Sequence, residues 1–303
     1  MSDRSGHRHG VVSAVAAFLM WGLFPLYWKP LSAVAAIEVV AHRTVWGMLA
    51  VAVWVTLRRR WADARTVVRS PRTLATLTAT AALIGCNWLL YIWAVTHDHV
   101  MESSLGYFIN PLVNVLLGVV VLRERLGRLQ MAAVTLAGIG VAVLTIGYGR
   151  FPWIALGLAT SFALYGLARK TVAADAVIGL LVETSLLAPL AVAFLLAREH
   201  QGAGAFGHAG VWTSTLLLLA GPVTAVPLVL FTQGARRLPL STVGLFQYIS
   251  PSCQFLLAVL VYREPFTSSH AATFACIWAA LALLTWDLRR HLRALPPVEP
   301  ETT

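Results

Sequence analysis

The sequence predicts an all-α integral membrane protein, with ten transmembrane helices in two inverted-topology repeats of five helices and both termini in the cytoplasm. Three observations lead to this fold class. The 303 residues are 58% hydrophobic and only 12% charged, with a mean hydropathy of +0.73, whereas about a quarter of the residues in a soluble protein are charged. Ten apolar segments are long enough to cross a bilayer. Two of these segments belong to an internal repeat.

The apolar segments define the predicted helices, because a helix that crosses a bilayer needs about 20 mainly apolar residues. They are residues 10–29, 35–57, 74–96, 102–122, 128–148, 152–171, 177–197, 212–233, 243–262 and 268–288. The first is expected to be a retained helix rather than a removed signal peptide, since no small-residue cleavage site follows it. The predicted organisation is a cytoplasmic N-terminus (1–9), a first repeat (10–148), a second repeat (152–288) and a cytoplasmic tail (289–303).

The basic residues set the predicted orientation. With ten spans and a cytoplasmic N-terminus, the inner segments hold 18 Lys and Arg residues and the outer segments hold 4, with Arg43 inside the membrane. Cytoplasmic loops of membrane proteins carry such an excess of positive charge. One missed span would disturb this alternation, so the charge distribution also supports the helix count.

The internal repeat relates the fourth and ninth segments. The sequence SLGYFINP at 104–111 resembles GLFQYISP at 244–251, and 13 residues separate Pro111 from Glu124 and Pro251 from Glu264. Because each half has five spans, the second half must enter the membrane from the opposite side. Inverted repeats with paired interrupted helices are typical of secondary transporters, whose site lies near the midplane between the halves.

Proline interrupts both repeated segments near their middle. Pro111 and Pro251 are predicted to break or hinge their helices, since proline removes a backbone hydrogen bond and clashes with the preceding turn. Freed carbonyl groups in a membrane need polar neighbours or a water-lined cavity. Polar side chains near the breaks either line a substrate site or only bridge helices; they are Tyr107, Asn110, Asn114, Gln247, Tyr248, Ser250 and Gln254.

The second segment contains the most informative charge. Arg43 lies about 12 Å below the start of its helix, and charged residues at that depth are functional candidates by default. It is interpreted as an anchor for an anion or as a counter-ion, with His42 or Glu38 as a proton-sensitive group. The alternative is a structural ion pair between Arg43 and either Glu183 or Glu102. Glu183 could instead carry a proton.

Aromatic residues are frequent in the first and third segments. Trp21, Trp88 and Tyr91 could line an apolar cavity, although packing is the ordinary alternative, and Trp28 suits an interfacial belt. The full set of candidates for substrate binding or coupling is Arg43, Glu38, His42, Asn87, Trp88, Tyr91, Tyr107, Asn110, Glu183, Gln247, Tyr248 and Gln254.

Several function classes are not expected. The net charge of +10 does not indicate nucleic acid binding, because the basic residues lie at the ends of apolar segments. No metal site, cofactor or catalytic residue is predicted, and no P-loop motif indicates ATP binding. The expected partners are a small-molecule substrate and the lipid bilayer. Proton coupling is an open alternative, and the sequence does not distinguish a monomer from a homodimer.

A set of short motifs runs along nearly the whole chain: FLMWGLFP (18–25), EVVAHR (38–43), NWLLYIWA (87–94), SLGYFINP (104–111), YG (165–166) with RK (169–170), GPVTAVPL (221–228) and QYISP (247–251). Together these motifs resemble the RarD-type members of the EamA-like family, in the drug/metabolite transporter superfamily. The resemblance implies ten helices in two inverted repeats. It also implies a carrier of the bacterial inner membrane that works by alternating access.

The leading functional interpretation is a secondary transporter, expected to export a small metabolite or amphipathic compound. One alternative is a membrane enzyme that uses Glu38, His42 and Arg43 as acid–base groups on a lipid. It would need a second catalytic cluster, and the sequence shows only scattered residues. The other alternative is a channel, which would need rings of like groups along a pore.

Overall fold

The computed structural model describes residues 2–122, 127–148, 151–170, 172–235, 237 and 246–294, and the regular structure within these ranges is helical throughout. A 3₁₀ turn (Lys29–Leu31) follows the second helix and a π-helical turn (Leu257–Val261) follows the eleventh. The helices are α1 (Ser2–Gly22), α2 (Phe24–Trp28), α3 (Ala36–Leu57), α4 (Trp61–Arg69), α5 (Pro71–Thr96), α6 (Val100–Leu122), α7 (Arg128–Tyr148), α8 (Trp153–Lys170), α9 (Ala176–His200), α10 (Val211–Ala235), α11 (Ile249–Leu256) and α12 (Ser268–Ala294).

Each predicted apolar segment coincides with helix in the described residues. By length and composition, seven helices can cross a membrane, or eight if the bent α1–α2 pair is one span. The apolar helices Trp153–Arg169 and Ile249–Val261 are shorter. The described part of the chain is therefore all-helical, with seven or eight candidate spans. The ten-span inverted repeat and the cytoplasmic termini stay predictions.

The first segment bends by 45° between α1 and α2, a break that the sequence reasoning did not place there. Pro25 lies in the first turn of α2. Proline has no N–H to bond Trp21, four residues earlier, and its ring clashes with that residue's carbonyl. The bend follows from this loss, and it brings the α2 aromatic residues into the interior, where Phe24 and Trp28 are buried.

The basic stretch 58–73 contains a short helix that the sequence reasoning treated as a connector. In α4, Ala64 and Val67 are buried while Trp61 and Val68 are exposed, so the helix is amphipathic and packs by one face. Three residues separate the buried pair, which places both on that face.

Asp175 ties the start of α9 to α4. Its Oδ1 accepts hydrogen bonds from the N–H groups of Val177 (2.9 Å) and Ile178 (3.0 Å), as an N-cap residue does. Its Oδ2 pairs with Arg60, which also bonds Asp63. Burial alone raises the pKa of Asp175, but the hydrogen bonds from Ile178 and Arg60 outweigh it, so the pKa lies below its ordinary value of 3.8.

Replacement of Asp175 by alanine should destabilise the protein more than replacement by asparagine. Asparagine keeps the cap and loses only a partly exposed ion pair, worth about 0–1 kcal/mol, whereas alanine also loses the cap, worth about 0.5–2 kcal/mol. Because the pKa is lowered on folding, the carboxylate contribution is present above pH 3.8 and is lost as pH falls through the folded pKa. Thermal unfolding in detergent across pH 3–7 checks this; an identical melting temperature for both variants would contradict it.

The described helices form two compact units. The first comprises Met1–Asn110 and Trp153–Pro265. Within it, α3 packs against α9 and α10, α1 packs against α10 and α11, and α5 packs against α8. Its main apolar cluster surrounds Trp88, Leu77 and Ile178, with residues from α3, α5 and α9.

The second unit comprises Pro111–Pro152 and Phe266–Thr303, and α7 packs against α12 within it. Gly140 allows the close approach, because a Cβ there would lie 3.0 Å from Cβ of Cys276. The hydroxyl of Thr273 donates to the Gly140 carbonyl at 2.9 Å. Small residues at the interface between membrane helices let the two backbones approach closely in this way.

The two repeated prolines have different surroundings. Helix α6 runs through Pro111, and the boundary between the compact units falls directly before this residue. Pro251 lies in the first turn of α11, a position that tolerates proline. Glu264 accepts hydrogen bonds from the first N–H groups of α6, at 2.7 and 2.8 Å. Arg123, Glu124 and residues 244–245 of the repeat lie outside the described residues, and the hinge stays a prediction.

Candidate functional site

Arg43 is held inside the first unit by helices from both halves of the chain. It is the eighth residue of α3, about 10 Å along the helix axis from Ala36, and it is only 5% exposed. Its Nε donates to Oγ1 of Thr224 on α10 at 3.1 Å. The Thr224 hydroxyl in turn donates to the carbonyl of Ala220 at 2.8 Å. The lone pairs of the hydroxyl oxygen therefore remain available to accept from Arg43.

Three aromatic rings surround the guanidinium. Its Cζ lies 4.1 Å from the ring centroid of Trp88, 5.3 Å from that of Trp28 and 5.9 Å from that of Phe24. A desolvated cation over an aromatic face gains about 2 kcal/mol. We call Arg43, Thr224, Phe24, Trp28, Trp88 and Tyr91 the Arg43 cage. Trp28 is fully buried, so the expectation that it belongs to an interfacial belt is wrong.

The Arg43 cage contains no acidic group. No carboxylate pairs with Arg43 among the residues that the structure describes. Nη1 of Arg43 is buried and has no hydrogen-bond partner in the described part of the chain, and the same holds for Oη of Tyr91 and Nε1 of Trp28. Tyr27, Tyr91 and Tyr107 interact electrostatically with the guanidinium. Arg43 is therefore a buried cation surrounded by rings and hydroxyl groups.

Glu183 has other partners, so the alternative of an Arg43–Glu183 ion pair is not realised. It is fully buried on α9 and accepts from Thr80 (2.7 Å) and Tyr165 (3.2 Å), with Nε of Arg169 at 3.8 Å. A buried carboxylate needs such partners to offset its desolvation. The four side chains form a second polar centre, contributed by α5, α8 and α9.

A series of aromatic contacts connects the two polar centres. The ring of Tyr91 lies 5.8 Å from Tyr107, which lies 6.0 Å from Phe162, and Phe162 lies 6.0 Å from Tyr165. Tyr165 belongs to the Glu183 centre, and Tyr91 belongs to the Arg43 cage. The structure thus places Tyr91 and Tyr107 near Arg43 and Trp88, and their role in substrate binding stays a prediction. The row of rings from Tyr91 to Tyr165 is apolar, with tyrosine hydroxyl groups at intervals.

Glu38 and His42 contact a loop instead of the Arg43 cage. Glu38 accepts from the N–H of Ala205 at 2.5 Å and pairs with Arg198 at 3.5 Å. The His42 ring stacks on Phe206 at 5.2 Å, and its Nδ1 accepts from Trp46 at 3.3 Å. Both residues thus hold the Gly-rich loop between α9 and α10, which the sequence reasoning did not predict.

The amide candidates bridge helices. Asn87 donates to the carbonyl of Leu158 and to Ser161, Asn110 donates to the carbonyl of Ala159, and Gln254 donates to the carbonyl of Trp21. These bonds favour the helix-bridging alternative for the amides. Gln247 and Tyr248 are partly exposed, and their role stays a prediction.

A cavity of about 810 Å³ opens where α3 and α10 end and α9 begins. On α3, Trp54 of its wall is 11 residues from Arg43, or about 16 Å by helix rise. We call this space the basic cavity, because three of its wall residues are arginines. Its walls are formed by Trp54, Arg58, Arg60, Val177, Val229, Thr232, Gln233 and Arg237.

Sequence reasoning missed three members of the Arg43 cage. Thr224 entered only as part of the motif GPVTAVPL, Phe24 entered only as part of FLMWGLFP, and Trp28 was expected in an interfacial belt. The available signal was the proline after Phe24, since a bent helix would place the α2 rings beside a neighbouring helix. Nothing in the sequence indicates that Thr224 faces Arg43 from 181 positions away.

The chain is similar to a group of bacterial membrane proteins. The model of the EamA-like transporter family matches residues 8–146. An uncharacterized transporter of Vibrio cholerae is 47% identical over 94% of each chain, and the uncharacterized transporter YojE of Bacillus subtilis is 46% identical over 95% of this chain and 97% of its own. RarD of Escherichia coli is 46% identical over 94% and 96%.

A crystal structure with only 19% identity shares the fold. It covers 92% of this chain and 98% of its own, with a TM-score of 0.59. At this level of identity the likeness concerns architecture alone.

Proposed function

The chain belongs to the EamA-like transporter family, with relatives named RarD, and from this membership we propose that it is a secondary transporter for a small metabolite or amphipathic compound. The bilayer is the inner membrane of a bacterium. The transport mode is alternating access, and the expected direction is export. Family and relatives are transporters rather than enzymes, which favours this function over the membrane enzyme.

The observation that carries the proposal is the Arg43 cage. A buried guanidinium without an acidic partner costs several kcal/mol in an apolar surrounding, and intramembrane charges of this kind mark substrate or ion pathways. Arg43 and Thr224 come from different halves of the chain. A site that joins the halves is where an inverted-repeat carrier binds its substrate.

Symmetry between the halves supports the same proposal. Arg43 and Glu183 are 140 positions apart, as are Pro111 and Pro251. Arg43 is the eighth residue of α3, and Glu183 is the eighth residue of α9. In two inverted repeats, 10–148 and 152–288, these charges lie at equal depth from opposite membrane faces. Glu183 is the proposed coupling group if protons drive transport.

The basic cavity supplies the proposed cytoplasmic entrance. Its arginines belong to segments that the charge distribution places in the cytoplasm. The helices α3 and α10 lead from this cavity to the Arg43 cage. Substrate would enter there and reach Arg43 along the helices that hold it.

Flux through reconstituted vesicles tests the function. Purified protein in proteoliposomes, given a labelled mixture of amino acids, organic acids and amphipathic compounds, should show saturable uptake with counterflow for some of them. Pro111→Ala should reduce this flux several-fold by stiffening the hinge, while Pro189→Ala, an exposed proline inside α9, should leave it unchanged. Linear flux without saturation would indicate a channel. Equal flux in both proline variants would remove Pro111 from the mechanism.

A further inference from the structure

The Arg43 cage gathers hydrogen-bond donors that have no acceptor within the described part of the chain. They are Nη1 of Arg43, Oη of Tyr91 and Nε1 of Trp28, all buried. The Trp28 ring lies 5.3 Å from the guanidinium carbon, and Tyr91 interacts with it electrostatically. A buried donor without a partner destabilises the protein, because its hydration is lost and nothing replaces it. One acceptor group shared by the three would relieve this cost.

We infer that this acceptor is the carboxylate of the substrate, which is a small organic monoanion with an apolar body. The inference rests on the proposed transport function and names its substrate class. A carboxylate offers two oxygens with about four lone-pair sites, enough for all three donors. Its planar shape matches the guanidinium fork.

Charge balance selects a single negative charge. Arg43 contributes one positive charge and has no acidic partner among the described residues. A monoanion makes the site neutral, whereas a phosphate dianion leaves an unpaired negative charge in a medium where that costs several kcal/mol. An amine would place two positive charges side by side. The occupied site is therefore electrically neutral only with a monoanion.

The walls of the cage select the substrate's body. The rings of Phe24, Trp28 and Trp88 lie within 6 Å of the guanidinium carbon, and Tyr91 contacts Tyr107 beyond them. Aromatic walls with a few placed polar groups bind ligands by burying apolar surface. A flat or aromatic group next to the carboxylate fits these walls better than a polyhydroxylated chain does.

The basic cavity favours the same charge. Arg60 is neutralised by Asp63 and Asp175, but Arg58 has no acidic partner among the described residues and rests on the ring of Trp54. Unpaired positive charge along a concave wall concentrates anions and raises their association rate. Both the proposed entrance and the proposed site therefore prefer an anion.

Binding to matched ligand pairs tests the inference. Purified protein is titrated with about ten carboxylates of varied body, including 3-phenylpropanoate, and with the amide of each; thermal stabilisation gives the affinities. At least one acid should bind tenfold or more tightly than its amide. The preference should persist in Arg72→Gln, which removes an exposed arginine of α5, and vanish in Arg43→Gln. Arg43→Lys should weaken it, which keeps the test open if the glutamine variant does not fold.

Two outcomes would overturn the inference: acids and amides that bind alike, or a preference for acids that survives in Arg43→Gln. The flux assay separates this failure from failure of the proposed function. Saturable transport of neutral or cationic compounds alone would support the transporter function and exclude an anionic substrate. Binding selective for acids, without flux of any compound, would support the anion site and contradict the transporter function.

Discussion

Arg43→Gln is expected to reduce transport efficiency at least about 30-fold while leaving the melting temperature equal to or above that of the natural protein. Loss of one partner from a buried charge pair costs about 2–5 kcal/mol of binding, so the loaded site loses its anchor. The unloaded protein loses a desolvated charge that no carboxylate neutralises within the described ranges. When a residue serves binding at the expense of stability, its replacement lowers activity while stability stays equal or rises.

Arg198→Gln provides the matched control, with the opposite expectation. Arg198 pairs with Glu38, which is 1% exposed, and its removal leaves a buried carboxylate with less compensation. Its melting temperature should fall, because breaking a buried pair costs about 3–5 kcal/mol, reduced here by the partial exposure of Arg198. Flux in proteoliposomes and thermal unfolding in detergent are measured for both variants, Arg43→Gln and Arg198→Gln. A lower melting temperature for Arg43→Gln with unchanged flux would make Arg43 a structural residue.

Gly221→Ala is expected to disrupt the contact between α3 and α10. A Cβ at Gly221 would lie 2.3 Å from the carbonyl oxygen of Trp46 and 2.5 Å from its carbonyl carbon. These are backbone atoms, so neither helix can yield without moving. Overpacking of this kind costs about 1–3 kcal/mol or more, a fall of roughly 2–5 °C in melting temperature for a chain of this length. Thr224 lies one turn away, so the displacement also weakens its bond to Arg43.

Gly47→Ala is the control for Gly221→Ala. Gly47 lies on α3, and no atom is within 4 Å of a Cβ built there. Alanine favours a helix over glycine by up to about 1 kcal/mol, so the melting temperature should stay equal or rise. Thermal unfolding of the purified variants measures both changes. A Gly221→Ala protein as stable as the natural one would show that the two helices can separate at no cost.

Much of the helical arrangement was predictable because the bilayer requires it. Length and hydropathy alone place every predicted segment on a helix, and the ends agree within a few residues for α3, α7 and α8. Amphipathic helix α4 was not predicted, since it contains no long apolar run. The bend at Pro25 was not predicted, because Pro25 lies outside the repeated motifs that single out Pro111 and Pro251.

The centre of the candidate site was predictable because the burial of a charged side chain costs free energy. Arg43 was identified because a charged side chain inside a membrane is costly and is therefore a functional candidate by default. Its surroundings depend on which helices pack together, and spacing within one helix does not contain that information. Glu38 and His42 share α3 with Arg43, yet they contact residues near Phe206, because neighbouring positions on a helix point in different directions.

The bond between Arg43 and Thr224 also sets a condition on how the protein is made. The two residues are 181 positions apart, and chains grow at about 5–20 residues per second. The helix that carries Arg43 therefore waits roughly 10–40 s for its partner, during which a lone arginine disfavours insertion by about 2.5–3.5 kcal/mol. We therefore expect the first half made alone to insert less efficiently than the first half made together with the second.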